Sequence, residues 1–239
     1  MKAFLAACGL AVALVATPAS AGVLFYGGDL NPNSSTADGL ANEQDLNVSQ
    51  ATVYTPFIVG GSGWNVTGLF TDNLMSITAL SASWEIRSGV SEGNGGTLLF
   101  SGTSTPTVTY TGISFADYLD YQVEVTGLNI NLSPGAYWMS VVPICLDSGN
   151  ATCGGGARSF NANTDGTNAI GTPEPLNQSF FNSSYFGYSF SNAQGVGGDY
   201  DYPEFSSGVL GDQASAPEPG SMALLGGGLL LLAGIRRRR

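Results

Sequence analysis

The most constraining feature of the sequence is a succession of short runs rich in β-branched and aromatic residues, separated by Gly, Asn, Asp, Ser and Pro. The runs occupy residues 22–211 and show little helical periodicity. Short runs of this composition between turn signals predict β-strands, and a long series of them predicts two packed sheets. We therefore expect an all-β domain over residues 22–211, an antiparallel β-sandwich of jelly-roll-like type.

Two of the runs carry the clearest strand pattern. Residues 80–87 alternate apolar and polar side chains, which places one face of the strand in a core. In residues 122–132 the apolar phase changes at Gly127, and a β-bulge there would keep both halves on the same buried face. The turn 133–135 follows, so we predict a β-hairpin over residues 122–142. The other predicted strands are residues 23–26, 51–59, 64–71, 75–87, 97–102, 107–111, 180–190 and 204–209, and only residues 114–119 offer a helical turn.

The N-terminus has the parts of a Sec signal peptide. Lys2 supplies a positive charge, an apolar stretch follows, and Ala19 and Ala21 form an A-x-A cleavage site. We expect signal peptidase to remove residues 1–21 and to leave Gly22 at the start of the mature chain. A transmembrane helix or a buried strand is the alternative for this segment.

The C-terminus combines a short motif, an uncharged span and a cluster of arginines. The motif is Pro217-Glu218-Pro219, after a linker at 212–216, and the apolar span covers 222–235. A helix of this length reaches about 21 Å, less than the roughly 30 Å of a bilayer core. The chain then ends in Arg236, Arg237, Arg238 and Arg239. We expect these arginines to stay on the cytoplasmic side of the membrane and to act as a stop signal. A short transmembrane helix is therefore expected, with an ordinary anchor or a small core helix as alternatives.

This order of Pro-Glu-Pro, apolar span and terminal arginines over residues 217–239 resembles the PEP-CTERM sorting signal of Gram-negative bacteria. The resemblance implies that exosortase, a membrane enzyme, recognises and removes the tail. It implies an exported protein, tethered at the inner membrane and then released to the cell surface or extracellular matrix, with exopolysaccharide and biofilm as its setting. A second Pro-Glu-Pro at 173–175 has no apolar span after it and is predicted to be a loop.

Charge and composition exclude several functions for the body of the chain. The sequence has no His, which removes imidazole bases and His-ligated metals. Its net charge is −11, and between the two targeting segments the only basic residues are Arg87 and Arg158. Nucleic acids are bound through Lys and Arg, so we expect no nucleic-acid partner. We expect a non-enzymatic protein without a cofactor.

Two cysteines remain after the signal peptide is removed. Cys145 and Cys153 flank a short polar loop, and export takes them to an oxidising compartment. We predict a disulfide between them.

Carboxylates and aromatic rings offer the remaining candidate sites. Glu85 and Glu124 fall on predicted strands and could form the acid pair of a polysaccharide-active enzyme, but the alternation points both toward solvent. Asp199 and Asp201 could supply oxygen ligands for Ca²⁺, without the pattern of a known calcium loop. The aromatic residues of 180–205 either fill the core or form a platform for sugars, which makes a carbohydrate-binding module the alternative function.

Overall fold

A computed structural model describes residues 22–33, 38–44, 50–76, 79, 81–144, 158–171, 178–196 and 204–214. Regular structure in these ranges is almost entirely β-strand, with a single 3-10 turn at Ala193–Gly195. The strands are β1 Gly22–Tyr26, β2 Gly39–Ala41, β3 Glu43–Gln44, β4 Gln50–Val59, β5 Trp64–Met75, β6 Ser81–Ser88, β7 Thr97–Ser104, β8 Thr107–Phe115, β9 Tyr118–Leu132, β10 Gly135–Ile144, β11 Ser159–Ala162, β12 Phe180–Ser183, β13 Tyr188–Asn192 and β14 Ser207–Gln213. No helix within the described ranges has the length and hydropathy to cross a bilayer.

The strands form two sheets. Sheet I is built around β5, which pairs with β9 along one side and with β14 and then β11 along the other; β1, β2 and β8 complete it. Sheet II is built around β10, which pairs with β6 on one side and with β4 and β3 on the other; β7, β12 and β13 complete it. This arrangement confirms the predicted all-β sandwich. The last strand, β14, includes residues 212 and 213 of the predicted linker.

The main core lies between the two sheets. Sheet I contributes Val66, Leu69 and Val125, and sheet II contributes Ile86 and Met139, all shielded from solvent. Apolar side chains from alternate positions of both sheets meet here, as expected for a sandwich. Burial of these side chains is the dominant favourable contribution to folding.

The bulge predicted in the long strand β9 is present. The register against β5 shifts between Val66 and Gly68, and Gly127 has a φ of 75°, in the left-handed region that glycine enters freely. Val125 before the bulge and Ile130 after it both belong to the main core. The change of apolar phase in the sequence therefore marks a real interruption of the strand.

The predicted hairpin over residues 122–142 is wrong. Strand β9 pairs with β5 and β8 in sheet I, whereas β10 pairs with strands of sheet II. The turn after Leu132 therefore carries the chain from one sheet to the other. Both strands present apolar side chains to the same core from opposite sides. The alternation of apolar and polar residues along the sequence is the same whether the two strands form a hairpin or lie in different sheets.

The predicted helical turn at residues 114–119 is also wrong. Strand β8 continues to Phe115, and Phe115 pairs with Tyr118 across a two-residue turn. Ala116 and Asp117 occupy that turn with φ of 48° and 69°. Positive φ at both central residues is the type I′ geometry, which normally selects Asn-Gly, so Ala-Asp gives no hairpin signal in the sequence.

Candidate functional site

Two concavities lie on the outer faces of the sandwich, one on each sheet. The larger has a volume of about 560 Å³ and crosses sheet II. We call it the aromatic groove. Its lining residues include Gln44, Gln50, Thr52, Tyr54, Ser83, Glu85, Arg87, Asn182, Ser184, Tyr188 and Phe190.

Strand alternation explains why these side chains face outward. On β4, Val53 is buried on the inner side, so Tyr54 next to it points to the outer face. On β6, Ile86 enters the main core, so Glu85 and Arg87 point outward. The pairing of Phe180 with Tyr54 brings β12 alongside and completes the wall of the groove.

Arg87 organises the floor of the groove. Its guanidinium lies 5.5 Å from the ring centre of Tyr54 and 5.2 Å from that of Phe190. Its Nε donates to Glu85 Oε2 at 2.6 Å, and its Nη1 donates to the carbonyl of Gly95 at 2.9 Å. The floor is therefore an ordered, charge-balanced layer of aromatic rings around one cation.

Tyr54 closes this network. Its hydroxyl donates to Glu85 Oε2 at 2.9 Å, and its ring lies 5.1 Å from that of Phe190. Burial, and then the charge of Glu85, raise the pKa of the Tyr54 hydroxyl above its usual value. The hydroxyl therefore stays protonated and keeps donating to Glu85.

The smaller concavity has a volume of about 320 Å³ and lies on sheet I. We call it the acidic cavity, because Asp29, Asp72 and Asp120 line it together with Tyr26 and Thr111. Thr111 donates to Asp120 Oδ2 at 2.7 Å. Burial, and then the neighbouring Asp72 carboxyl, raise the pKa of Asp120 to about 7. None of the described residues lining this cavity is Lys or Arg.

Hydroxyl groups surround the Asp72 carboxyl in the acidic cavity. The Tyr26 hydroxyl lies 2.7 Å from Asp29 Oδ1 and 3.0 Å from Asp72 Oδ2, yet it has one proton to donate. Ser206 donates its own proton to Asp72 Oδ2 at 2.6 Å. A proton on Asp72 would donate to Tyr26, which then donates to Asp29. Burial raises the pKa of Asp72 and favours this form.

The structure separates the two glutamates of the predicted acid pair. Glu85 lines the aromatic groove on sheet II, whereas Glu124 lies on β9 between Val123 and Val125, which face the core from sheet I. Glu124 therefore points to the opposite outer face. Two carboxyl groups on opposite faces of a sandwich cannot flank the same glycosidic bond, so this pair is not an active site.

Several predicted site residues lie outside the part of the chain that the structure describes. They are Ala19 and Ala21 of the cleavage site, Cys145 and Cys153, Asp199 and Asp201, Pro217, Glu218 and Pro219, and Arg236, Arg237, Arg238 and Arg239. Gly22 is described, and it begins β1. Within the described ranges, no group of three or more His, Cys, Asp or Glu side chains is placed to hold a metal ion.

The late aromatic residues divide between the core and the surface of the sandwich. Phe181 and Phe205 are buried in a core cluster, whereas Phe190 lines the aromatic groove. Tyr185 and Phe186 are 58% and 42% exposed in the turn between β12 and β13. Sequence alone does not separate these roles, because the register of short, irregular strands decides them.

Asp72 and Asp120 were not selected from the sequence, although their positions are unusual for aspartate. Each is a charged residue inside a strand, and each is almost completely buried. Aspartate is uncommon at buried positions and requires a partner there. The partners of Asp72 are Tyr26 and Ser206, which are far away in sequence, so this cluster is recognised only in the fold.

Comparison with protein families matches the end of the chain. Residues 215–239 match the family model of the PEP-CTERM protein-sorting motif. No curated protein and no solved structure matches the chain. The chain is thus a β-sandwich protein with a C-terminal sorting motif. It is targeted to exosortase and exported to the cell envelope, as the resemblance of residues 217–239 implied.

Proposed function

We propose that the protein is a non-enzymatic component of the cell surface or extracellular matrix, associated with exopolysaccharide and biofilm. Sec exports the chain, signal peptidase cleaves after Ala21, and the apolar span 222–235 holds the chain at the inner membrane. Exosortase then removes the tail and releases the body. The observation that carries this proposal is the sorting motif over residues 215–239.

The chemistry of the body supports a structural or binding role. The chain has no His, and the basic residues of its body, Arg87 and Arg158, are engaged in ion pairs with Glu85 and Glu43. In the acidic cavity, Asp72 and Asp120 are buried and hydrogen-bonded to hydroxyl groups. These features favour a stable exported module over a hydrolytic site.

Removal of the arginine cluster tests the sorting step. Deletion of residues 236–239 should leave the tail-bearing form in the membrane fraction of the native host, whereas the intact protein reaches the surface or matrix. Replacement of Arg87 and Arg158 by Lys is the matched control, because it changes arginines of the body and leaves the motif intact. Normal release of the deletion variant would contradict the proposal.

A carbohydrate-binding module is the second candidate, and the aromatic groove favours it. Clefts lined by aromatic rings and a few polar groups are the usual form of small-molecule sites. This candidate is compatible with the first, since a matrix protein needs a component of the matrix to bind. The carboxylate-dependent enzyme has no comparable support, because its acid pair, Glu85 and Glu124, faces opposite sides.

A further inference from the structure

We propose that the aromatic groove binds a segment of an uncharged polysaccharide. The inference rests on the proposed matrix function, because it identifies the matrix component that the body would hold. It assigns a ligand class to the outer face of sheet II and roles to Gln44, Gln50 and Asn182. Three properties of the groove carry it: its form, its unpaired amides and its balanced charge.

The form of the groove suits an extended chain. Its lining residues come from strands β3, β4, β6, β10, β12 and β13, so the groove crosses sheet II rather than forming a closed pocket. Its volume of about 560 Å³ lies in the range of about 300 to 1,000 Å³ that ligand sites occupy. A groove that is open along the sheet accommodates an internal segment of a polymer.

Aromatic rings are available for stacking at one end of the groove. Tyr188, Phe190 and Ser184 line the groove, and Ser184 is followed by the exposed pair Tyr185 and Phe186. The rings of this pair are perpendicular, with centroids 4.8 Å apart. Aromatic faces pack against the apolar C–H faces of sugar rings, which are equally available on every unit of a polysaccharide.

Three amide side chains line the groove without partners of their own. Within the described residues, the side chains of Gln44, Gln50 and Asn182 make no hydrogen bond, while Glu85 and Arg87 of the same groove pair with each other. An amide offers donors and an acceptor together. A sugar hydroxyl is also both donor and acceptor, so these amides match a row of hydroxyls.

The charge of the groove selects an uncharged ligand. Arg87 pairs with Glu85, and Glu43 at the end of the groove pairs with Arg158 at 2.8 Å. No unpaired cation among the described lining residues is available for a uronate or sulfate group. The net charge of −11 repels an anionic polymer as well. A neutral glycan needs no cation in the groove and is not repelled by the net charge.

Titration calorimetry of the exported protein tests the inference. The probes are neutral oligosaccharides of the cello, xylo, manno and laminari series, with uronate oligosaccharides as the charged comparison. We expect at least one neutral series to bind and the uronates to bind more weakly. Gln50→Ala and Asn182→Ala should each weaken binding about three- to tenfold, because each removes a hydrogen bond to the ligand.

Asn129→Ala is the matched control, since Asn129 is an exposed amide on β9 of sheet I. It should bind like the unmodified protein. Failure of all neutral series to bind, preferential binding of uronates, or equal loss in the control would each overturn the inference. Export and tail processing are measured separately, so this result does not decide the sorting proposal.

Discussion

Asp120 lies beside Asp72 in the acidic cavity, where burial and this neighbouring carboxyl raise the pKa of Asp120 to about 7. Glu204 is a third carboxyl of this kind, because burial raises its pKa to about 8. None of the three is paired with a Lys or Arg among the described residues. The folded protein therefore holds protons that the unfolded chain releases near pH 4.

Stability is consequently expected to fall as pH rises from about 4 to about 8. Over this window the folded state binds more protons than the unfolded state, so the free energy of unfolding decreases with pH. The decrease is about 1.4 kcal/mol per pH unit for each proton that only the folded form holds. Urea unfolding at several pH values measures it.

Asp120→Asn is the control for this pH dependence. The amide keeps the size of the side chain and cannot ionise, so the slope of stability against pH should become shallower above about pH 5. Asp165→Asn, at an exposed carboxyl whose hydrogen bonds lower its pKa, should not make it shallower. A stability that rises toward pH 8 in the unmodified protein would refute the assignment of these protons.

The ion pair of Glu43 and Arg158 gives a second prediction. Glu43 has a completely buried side chain, and it accepts from Arg158 Nε at 2.8 Å and from the backbone N–H of Ser159 at 2.9 Å. Arg158→Met should cost about 3 kcal/mol, because it leaves a buried carboxylate without its cation. Chemical denaturation measures the loss.

The double variant Glu43→Gln with Arg158→Met separates charge from packing. It removes the carboxylate whose cation the single variant has lost, so it should recover most of the lost stability. The guanidinium of Arg158 also packs on Phe160, 4.8 Å from the centre of its ring. A double variant as unstable as the single one would show that Arg158 stabilises the fold through this packing rather than through its charge.

The bulge in β9 gives a third prediction. A Cβ at Gly127 would meet open space, but the φ of 75° is unfavourable for any other residue. Gly127→Ala should therefore cost about 1 kcal/mol through backbone conformation alone. Gly195→Ala is the control, since its Cβ also meets open space and its φ is not in the left-handed region. Equal stability of the two variants would argue against the bulge.

The predicted disulfide is tested by mass spectrometry of the exported protein without reduction. Cys145 and Cys153 should resist alkylation, and the double Cys→Ser variant should lose about 2 to 3 kcal/mol, as expected for a short loop. Export should be unaffected, because neither targeting segment includes these residues. Two alkylated thiols in the exported protein would contradict the prediction.

Features that depend on nearby residues could be predicted from the sequence. The bulge at Gly127 follows from a change of apolar phase within one strand, and the all-β class follows from the runs and turns of 22–211. The partner of a strand depends on distant residues instead. The segment 122–142 therefore predicted a hairpin, although β9 and β10 lie in different sheets.

The candidate sites show the same division. The outward direction of Glu85 was predictable from alternation on β6, but its contacts with Tyr54 and Arg87 depend on how β4 and β6 flank β10. Strands β2, β3 and β11 are too short for a periodic pattern. The sorting motif, in contrast, is formed by consecutive residues, so it could be predicted from the sequence alone.

The most direct test of the proposed function is the intact mass of the protein recovered from the surface or matrix of its native host. We expect a chain that begins at Gly22 and lacks the arginine-rich end of the motif at 215–239. Deletion of exosortase should shift the protein to a membrane-bound form that still carries Arg239. A matrix protein whose mass includes residues 217–239 while exosortase is present would show that exosortase does not remove the tail.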